Sequence, residues 1–309
     1  MDLGRLVSAV VYAYFIVFTV FGVGNVWVEI ALYTALLISV VYAAETTMAL
    51  ANVRLWYNVM VVSVAMALPQ TVFAVNLAAS GKPIAAWIDT LASTLVDAVF
   101  VTAVIRRHII GSRLVRSTLP YMLIWSILAV GLNLVTYHES LYRSREVMVA
   151  YAVGGLLLPV LLIRSFSGWP DKGSVLLLAN HALATVVASY MLSSSIMSLP
   201  YDEIQLGVIS TILATLPDFI VAMLIRGVVS RLISSEAGDE ESWYTLLAAA
   251  THDQLTIPAL ILLVRPDAAL YYPHLFNIAV VLLKFTLLDR RAFWPGLLIG
   301  IGMLLWPPV

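Results

Sequence analysis

Two short stretches place a proline and a polar side chain in the middle of long apolar runs. Thr215-Leu216-Pro217-Asp218 lies in the run from Leu206 to Arg226, and Ala67-Leu68-Pro69-Gln70 lies in the run from Tyr57 to Ala79. Proline removes a backbone hydrogen bond and kinks or interrupts a helix, and an Asp at the centre of a membrane helix costs about 2.5 to 3.5 kcal/mol. We therefore predict a functional interruption of the helix at both stretches.

Each of these runs is followed by a segment that carries a further aspartate. In the first segment, Ser93 and Asp97 lie four residues apart and therefore share one face of a helix. In the second segment, Thr251, His252 and Asp253 follow one another directly. Both halves of the chain thus pair a proline-containing helix with a helix that bears a buried acid.

The residue types indicate which ligand such a site would hold. Hard cations such as Ca²⁺ accept about six to eight oxygen ligands in variable geometry. Asp97, Asp218 and Asp253 supply the carboxylates of the predicted metal site, and Gln70 supplies a neutral fourth corner. His252 has two interpretations: it is a proton-coupling group, since imidazole titrates near neutrality, or it is a packing residue with satisfied hydrogen bonds.

The composition places these residues in a membrane. Of the 309 residues, 61% are hydrophobic and 11% are charged, and the mean hydropathy is +0.96. Soluble proteins carry roughly a quarter charged residues, so we interpret the chain as an integral membrane protein whose partners are the lipid bilayer and inorganic cations. The net charge of -1 and the lack of a basic, aromatic-rich stripe exclude nucleic acid. The chain has no cysteine, which excludes thiolate metal sites, and we expect no cofactor.

Apolar runs of roughly 17 to 25 residues predict membrane-spanning helices, about eleven in all. They lie at 6–23, 28–49, 57–79, 84–105, 119–137, 147–164, 173–193, 204–228, 243–264, 270–288 and 292–308. Lys and Arg accumulate on the cytoplasmic side of a membrane, and only Lys82, Arg143, Arg145 and Arg265 fall on the sparsely charged side. We therefore predict a multi-pass plasma-membrane protein with a cytoplasmic N-terminus and an external C-terminus.

The spans divide into one extra helix and two units of five. Residues 1–25 form the extra N-terminal helix, residues 26–165 the first five-helix repeat and residues 173–309 the second. An odd number of helices in each unit inverts the second copy, as in many secondary transporters. The predicted fold class is an all-α polytopic membrane protein built from two inverted five-helix repeats.

This tandem arrangement resembles the calcium/cation antiporter superfamily, the membrane region of sodium/calcium exchangers. Each repeat of that family carries a Gly-Thr-Ser-x-Pro-Glu motif on one helix and a Gly-Ser-Asn type of motif on the next. Here the corresponding stretches read Ala-Met-Ala-Leu-Pro-Gln at 65–70 and Leu-Ala-Thr-Leu-Pro-Asp at 213–218. In this sequence the Gly-Thr-Ser residues are largely lost, and Gln70 stands in place of the first acid.

The resemblance also implies which side chains bind the ion. The implied ligands are Gln70, Asp97, Asp218 and Asp253, with Ser93 and Thr215 at hydroxyl positions. The implied function is secondary active antiport of a cation, Ca²⁺ in exchange for Na⁺ or H⁺, by alternating access, and we expect no enzymatic activity.

Two alternatives to cation antiport stay open. The first is a protein of the same transporter fold with another substrate or without ion exchange, because the lost Gly-Thr-Ser positions supply hydroxyl oxygens and close backbone approach. The second is an intramembrane hydrolase. Tyr201-Asp202 and Pro258-Ala259-Leu260 only partly match the motifs of intramembrane aspartyl proteases, and the partner Gly-x-Gly-Asp motif is missing.

Overall fold

All regular secondary structure in the described part of the chain is helical. The computed structural model describes residues 3–21, 24–50, 55–103, 113–162, 172–232 and 247–273, together with residues 281, 295, 298 and 299. These residues form helices and short turns, with no β-strand among them. The predicted all-helical class is confirmed. Within the described residues, three helices contain a window long and apolar enough to cross a membrane: Val26–Ala43, Arg116–Tyr137 and Leu247–Val264.

The helices follow the predicted apolar runs closely. In chain order they are α1 (Leu3–Phe21), α2 (Val26–Leu50), α3 (Leu55–Ala79), α4 (Pro83–Ala103), α5 (Arg113–Tyr137), the short α6 (Glu139–Tyr142), α7 (Arg145–Leu157), α8 (Lys172–Met197), α9 (Glu203–Leu232) and α10, described over Leu247–Val264. Tight 3-10 turns follow α7 at Leu158–Leu162 and α10 at Pro266–Tyr271. The start of the predicted span at 270–288 is therefore a turn, and most of the last two predicted spans lie outside the described residues.

The proline stretches do not interrupt their helices, so that expectation was wrong. The helix α3 continues through Pro69 to Ala79, and α9 continues through residue 217 to Leu232. A proline removes a single backbone hydrogen bond, and neighbouring helices and hydroxyl groups can compensate for that loss within a membrane protein. The irregularity lies in α10, where His252–Thr256 form a π turn and the amide of Ile257 bonds the carbonyl of His252, five residues back.

The packing of the helices places α10 in the interior. Neighbours of α10 are α3, α4, α5 and α7, while α4 packs against both α3 and α9. On the other side of the molecule, α2 packs against α8 and α9, α3 packs against α8, and α1 lies on α2 and α8. Every described side chain from 247 to 259 is buried. A polar side chain on α10 therefore meets other helices whichever way it points.

A tight loop fixes the position of α4 relative to α3. Gly81 has a φ of 81°, a left-handed conformation that glycine adopts without a steric penalty. The amide of Lys82 donates to the carbonyl of Leu77 over 2.9 Å, which closes the end of α3 in a Schellman pattern. At the start of α4, Oε2 of Glu203 accepts the amide of Ile84 over 2.9 Å. The first turn of α9 thereby caps the first turn of α4.

Candidate functional site

Buried polar side chains gather on α3, α4, α9 and α10, where α3 and α4 each pack against both α9 and α10. They are Gln70; Asp89, Thr90, Ser93 and Thr94; Ser210, Thr211 and Thr215; and Thr251, His252, Asp253, Gln254 and Thr256. We call this set the polar core. Burying a polar group is unfavourable unless it has a partner, and acids inside a membrane domain generally mark a functional site. The polar core is therefore the candidate functional site.

One face of α4 joins the polar core to both α9 and α10. Asp89 and Ser93 are one helical turn apart and share this face. The hydroxyl of Ser210 on α9 donates to Oδ1 of Asp89. One turn further along, Oγ of Ser93 lies 3.4 Å from Oδ2 of Asp253 on α10 and donates to the carbonyl of Thr90 over 2.9 Å. The same face of α4 thus contacts an acid-bearing helix from the second half of the chain.

The π turn brings the second acid into this arrangement. All five of its residues, His252–Thr256, are buried. The side chain of Thr251, just before the turn, hydrogen-bonds the hydroxyl of Tyr121 on α5 and donates to the carbonyl of Leu247 over 2.9 Å. At the other end, Oγ1 of Thr256 lies 3.4 Å from the carbonyl of Ala152 on α7. Hydrogen bonds to two other helices therefore hold the turn on both sides of Asp253.

Two glycines allow the helices around the polar core to approach closely. A Cβ on Gly207 of α9 would lie 2.7 Å from Cβ of Ile88 and 3.0 Å from the carbonyl oxygen of Ala85, both on α4. A Cβ on Gly155 of α7 would lie 2.9 Å from the backbone nitrogen of Thr256. Real Cβ atoms do not approach other atoms so closely, so both contacts require glycine. Ser210 reaches Asp89 from the helical turn that follows Gly207.

The structure brings together two of the predicted ligands, Ser93 and Asp253. Gln70 is also fully buried, on the neighbouring helix α3. Thr215 is buried on α9, but its hydroxyl donates to the carbonyl of Thr211 in its own helix over 2.7 Å. This local hydrogen bond is common for threonine in helices, and the oxygen keeps lone pairs that can still act as ligands.

The remaining predicted residues are only partly placed. Asp97 and Asp218 belong to helical turns of α4 and α9, and their side chains lie outside the described part of the molecule. The three-carboxylate metal site therefore stays a prediction. His252 is buried, and its Nδ1 lies 3.5 Å from Oγ1 of Thr256 in the same turn. That contact belongs to the π turn and leaves the choice between proton coupling and packing open.

Sequence reasoning missed Asp89 and its partner Ser210. Asp89 lies in the apolar run of α4, one turn before Ser93, and is fully buried. The rule that marked Asp218, an acid inside a span, applies equally to Asp89 and could have found it. Ser210 has no comparable signal, because a serine in an apolar helix usually bonds its own backbone.

Outside the long helices, an exposed ion-pair network links α6 to the turn after α10. Arg143 donates to Oε1 of Glu139 over 2.8 Å and to Oδ1 of Asp267 over 3.0 Å. This hydrogen bond to Glu139 raises the pKa of Arg143. In the same loop, backbone and Ser144 hydrogen bonds lower the pKa of Glu146. Both groups are solvated, so the network orders the loop without contributing to the polar core.

Comparison of this chain with protein-family models, curated proteins and solved structures finds no match. The fold and the site therefore describe the protein only as a helical chain with candidate membrane spans and a buried polar core. The described chain is all-helical, has three helices capable of crossing a membrane, and encloses two buried acids among hydroxyl groups.

Proposed function

We propose that this chain is a secondary active cation antiporter of the plasma membrane that exchanges Ca²⁺ for Na⁺ or H⁺ by alternating access. The observation that carries the proposal is the contact of 3.4 Å between Ser93 and Asp253. Both side chains are fully buried, and they come from helices in opposite halves of the chain. A hydroxyl and a carboxylate held together in this way supply the first two oxygens of a site for a dehydrated cation.

The outer surface of the molecule supports the membrane part of the proposal. Leu123, Ile127, Val130 and Leu134 are exposed and recur on one face of α5, the face that points away from the other helices. Lipid solvates such an apolar stripe, whereas water does not. The stripe supports contact of α5 with lipid. In the proposal, the eleven spans, the cytoplasmic N-terminus and the external C-terminus rest on the apolar runs and the loop charges of the sequence.

The helix packing supports the two inverted repeats. The predicted repeats equate α2 with α8, α3 with α9, and α4 with α10. If the repeats are equivalent, the contact of α3 with α8 should have a counterpart between α9 and α2. The contact of α4 with α9 should have a counterpart between α10 and α3. All four contacts occur in the described fold. A twofold relation between the halves would produce such pairs.

The proposed transport cycle uses competition for one charged site. Among the proposed ligands, Asp253, Ser93, Gln70 and Thr215 have described, buried side chains, and Ser93 contacts Asp253. In the proposal, Asp97 and Asp218 complete the set of carboxylates, and Thr215 adds a hydroxyl oxygen. The carboxylates hold either the substrate cation or the counter-ion, and this competition couples the two fluxes.

Flux into proteoliposomes tests the exchange directly. Wild-type protein should take up Ca²⁺ only when an opposed Na⁺ or H⁺ gradient is present. Asp253→Asn should weaken Ca²⁺ affinity at least about 30-fold, because loss of one charge from a buried charged contact costs about 2 kcal/mol or more.

Asp202→Asn is the matched control. Asp202 is exposed and accepts the amide of Gln205 at the start of α9, a role that Asn also fills. Uptake that ignores both gradients, or a Ca²⁺ affinity that Asp253→Asn leaves unchanged, would refute the proposal.

A single introduced thiol tests alternating access separately. The chain has no cysteine, so the Ser93→Cys variant carries a single thiol. Its labelling by a membrane-impermeant thiol reagent should decrease at least about tenfold when Ca²⁺ occupies the site, because bound cation and closed helices both exclude the reagent. Ser189→Cys is the control, since Ser189 is equally buried on α8, a helix that carries none of the proposed ligands. Labelling of the Ser93→Cys variant that does not change with Ca²⁺ would contradict a cation site at this position.

A further inference from the structure

Asp89 is one of the two fully buried acids among the described residues. Its side chain is fully buried on α4, where α4 packs against α9. Oδ1 accepts the hydroxyl proton of Ser210, and Oδ2 has no hydrogen-bond partner among the described residues. The proposed cation ligands do not include Asp89, so the antiporter proposal leaves this acid without a role.

Among the described residues, no charged side chain bonds to Asp89. Titratable side chains on the elements packed against α4, and on α4 itself, are Glu203, Asp218, Arg226 and Arg231 on α9; His252 and Asp253 on α10; Asp267 and Tyr271 in the following turn; Tyr57 on α3; and Asp97 on α4. Along α9, Glu203 lies about 10 Å from Ser210, and Arg226, the nearer of the two arginines, about 24 Å, by the helical rise. Glu203 is already bonded to the amide of Ile84. A neutralising side-chain partner for Asp89 is therefore not among its described neighbours.

A proton is the simplest species that neutralises such an acid. An ionised carboxylate that is buried without an opposite charge is strongly disfavoured relative to its protonated form. A dehydrated metal ion would also neutralise it, but such an ion needs several oxygen ligands. The described surroundings give the carboxyl group one hydroxyl within hydrogen-bond distance, that of Ser210. One hydrogen bond to Oδ1 suits a carboxylic acid that carries its proton on Oδ2.

The position of Asp89 couples this proton to the cation site. Asp89 and Ser93 are one turn apart on the same face of α4, about 6 Å along the helix axis. Ser93 contacts Asp253 directly. A cation that binds between Ser93 and Asp253 would therefore bring positive charge close to Asp89 in a poorly solvated interior, where charges interact strongly. That charge favours the ionised form of Asp89 and so favours release of its proton.

We propose that Asp89 is the proton-binding site of the antiporter: it holds a proton while the cation site is empty and releases that proton when the cation binds. In the release step, the bond between Oδ2 and hydrogen breaks, the proton passes to water, and the electron pair remains on the carboxylate. Rebinding on the opposite side of the membrane reverses the step. The inference rests on the proposed antiport and specifies H⁺ as the counter-ion.

Infrared difference spectroscopy on the purified full-length protein tests the protonation itself. Addition of Ca²⁺ at constant pH should remove the carbonyl band of one buried carboxylic acid. Asp89→Asn should abolish that change, and Asp202→Asn, which alters an exposed acid, should preserve it. Ser210→Ala should retain the change but shift the band to higher frequency, because the carbonyl loses its hydrogen bond. This variant also keeps the test decisive if Asp89→Asn fails to fold.

Flux measurements separate failure of this inference from failure of the antiporter proposal. A pH-sensitive dye inside proteoliposomes should report proton movement opposite to Ca²⁺ in the wild type and at least about a tenfold loss of that movement in Asp89→Asn. Calcium uptake that depends on Na⁺ alone, or proton movement unchanged in Asp89→Asn, would overturn the role of Asp89 and leave antiport standing. An infrared change that persists in Asp89→Asn would overturn it as well. A complete absence of Ca²⁺ flux in the wild type would instead refute antiport.

Discussion

The contact between α7 and the π turn gives the sharpest test of the fold around the site, through two adjacent glycines. At Gly155, a Cβ would lie 2.9 Å from the backbone nitrogen of Thr256 and 3.0 Å from Cβ of Leu255. At Gly154, a Cβ would meet no atom within 4 Å. Gly155→Ala and Gly154→Ala therefore make the same chemical change in the same helix, and only the first pushes against the turn that carries Asp253.

The size of the difference follows from packing and helix propensity. Carbon atoms in contact are normally about 3.5 to 4.0 Å apart, so an alanine in place of Gly155 would have to push the turn away by about half an ångström or more. Overpacking of this kind costs about 1 to 3 kcal/mol. Ala stabilises a helix by up to about 1 kcal/mol relative to Gly, and this gain is common to both variants. We therefore expect Gly155→Ala to have a free energy of unfolding about 1 to 3 kcal/mol lower than Gly154→Ala.

Unfolding of the two purified variants in detergent, followed side by side with the wild type, measures this difference. Gly154→Ala should match or slightly exceed the stability of the wild type, while Gly155→Ala should fall below it. The displaced turn should also weaken Ca²⁺ uptake in Gly155→Ala, since Asp253 lies in that turn. Equal stability of the two variants would show that α7 does not lie against the π turn, and the described geometry of the site would then be wrong.

Three further substitutions test other contacts of the site, each by unfolding in detergent. Trp87→Phe should lower the free energy of unfolding by about 1 to 3 kcal/mol, because the indole N–H that donates to the buried carbonyl of Ala268 over 2.8 Å is lost; an unchanged stability would contradict that bond. Gly207→Ala should be about 1 to 3 kcal/mol less stable than Gly227→Ala in the same helix, since only the first crowds α4. The reverse order would exclude the close α4 and α9 contact. Glu203→Gln should lose about 0.3 to 1 kcal/mol, because a charge at the start of α4 is removed, and high salt should reduce this loss.

The helices could be predicted well because their ends depend on local chemistry. Span 84–105 corresponds to α4 (Pro83–Ala103), and span 204–228 corresponds to α9 (Glu203–Leu232). The turn residues before α4, including Gly81, stop the apolar run and also suit the backbone of the loop. The helix bounds could be predicted because the residues that determine each helix end lie in the same segment as the helix.

The details of the site depend on neighbours that the sequence does not show. Proline suggested breaks at Pro69 and Pro217, but surrounding helices allow α3 and α9 to continue. The π turn at His252–Thr256 has no strong local signal, because a hydroxyl of α5 holds Thr251 just before it and a backbone carbonyl of α7 lies near the Thr256 hydroxyl at its end. Asp89 lies outside both motif stretches, and its partner Ser210 on α9 is far away in the sequence.

The enclosure of α10 sets a condition on any transport by this protein. Asp253 and Ser93 have no exposed surface in the structure, so a cation cannot reach them without a rearrangement of neighbouring helices. A conformational change of the kind alternating access requires must therefore separate α10 from one or more of its neighbours, which include α4 and α7. Those interfaces differ in character. The α7 interface includes the tight steric fit of Gly155, whereas the α4 interface includes the contact of 3.4 Å between two potential ligands. A cation that binds both Ser93 and Asp253 strengthens the α4 interface but not the α7 interface. The ion can shift the conformational equilibrium through this difference.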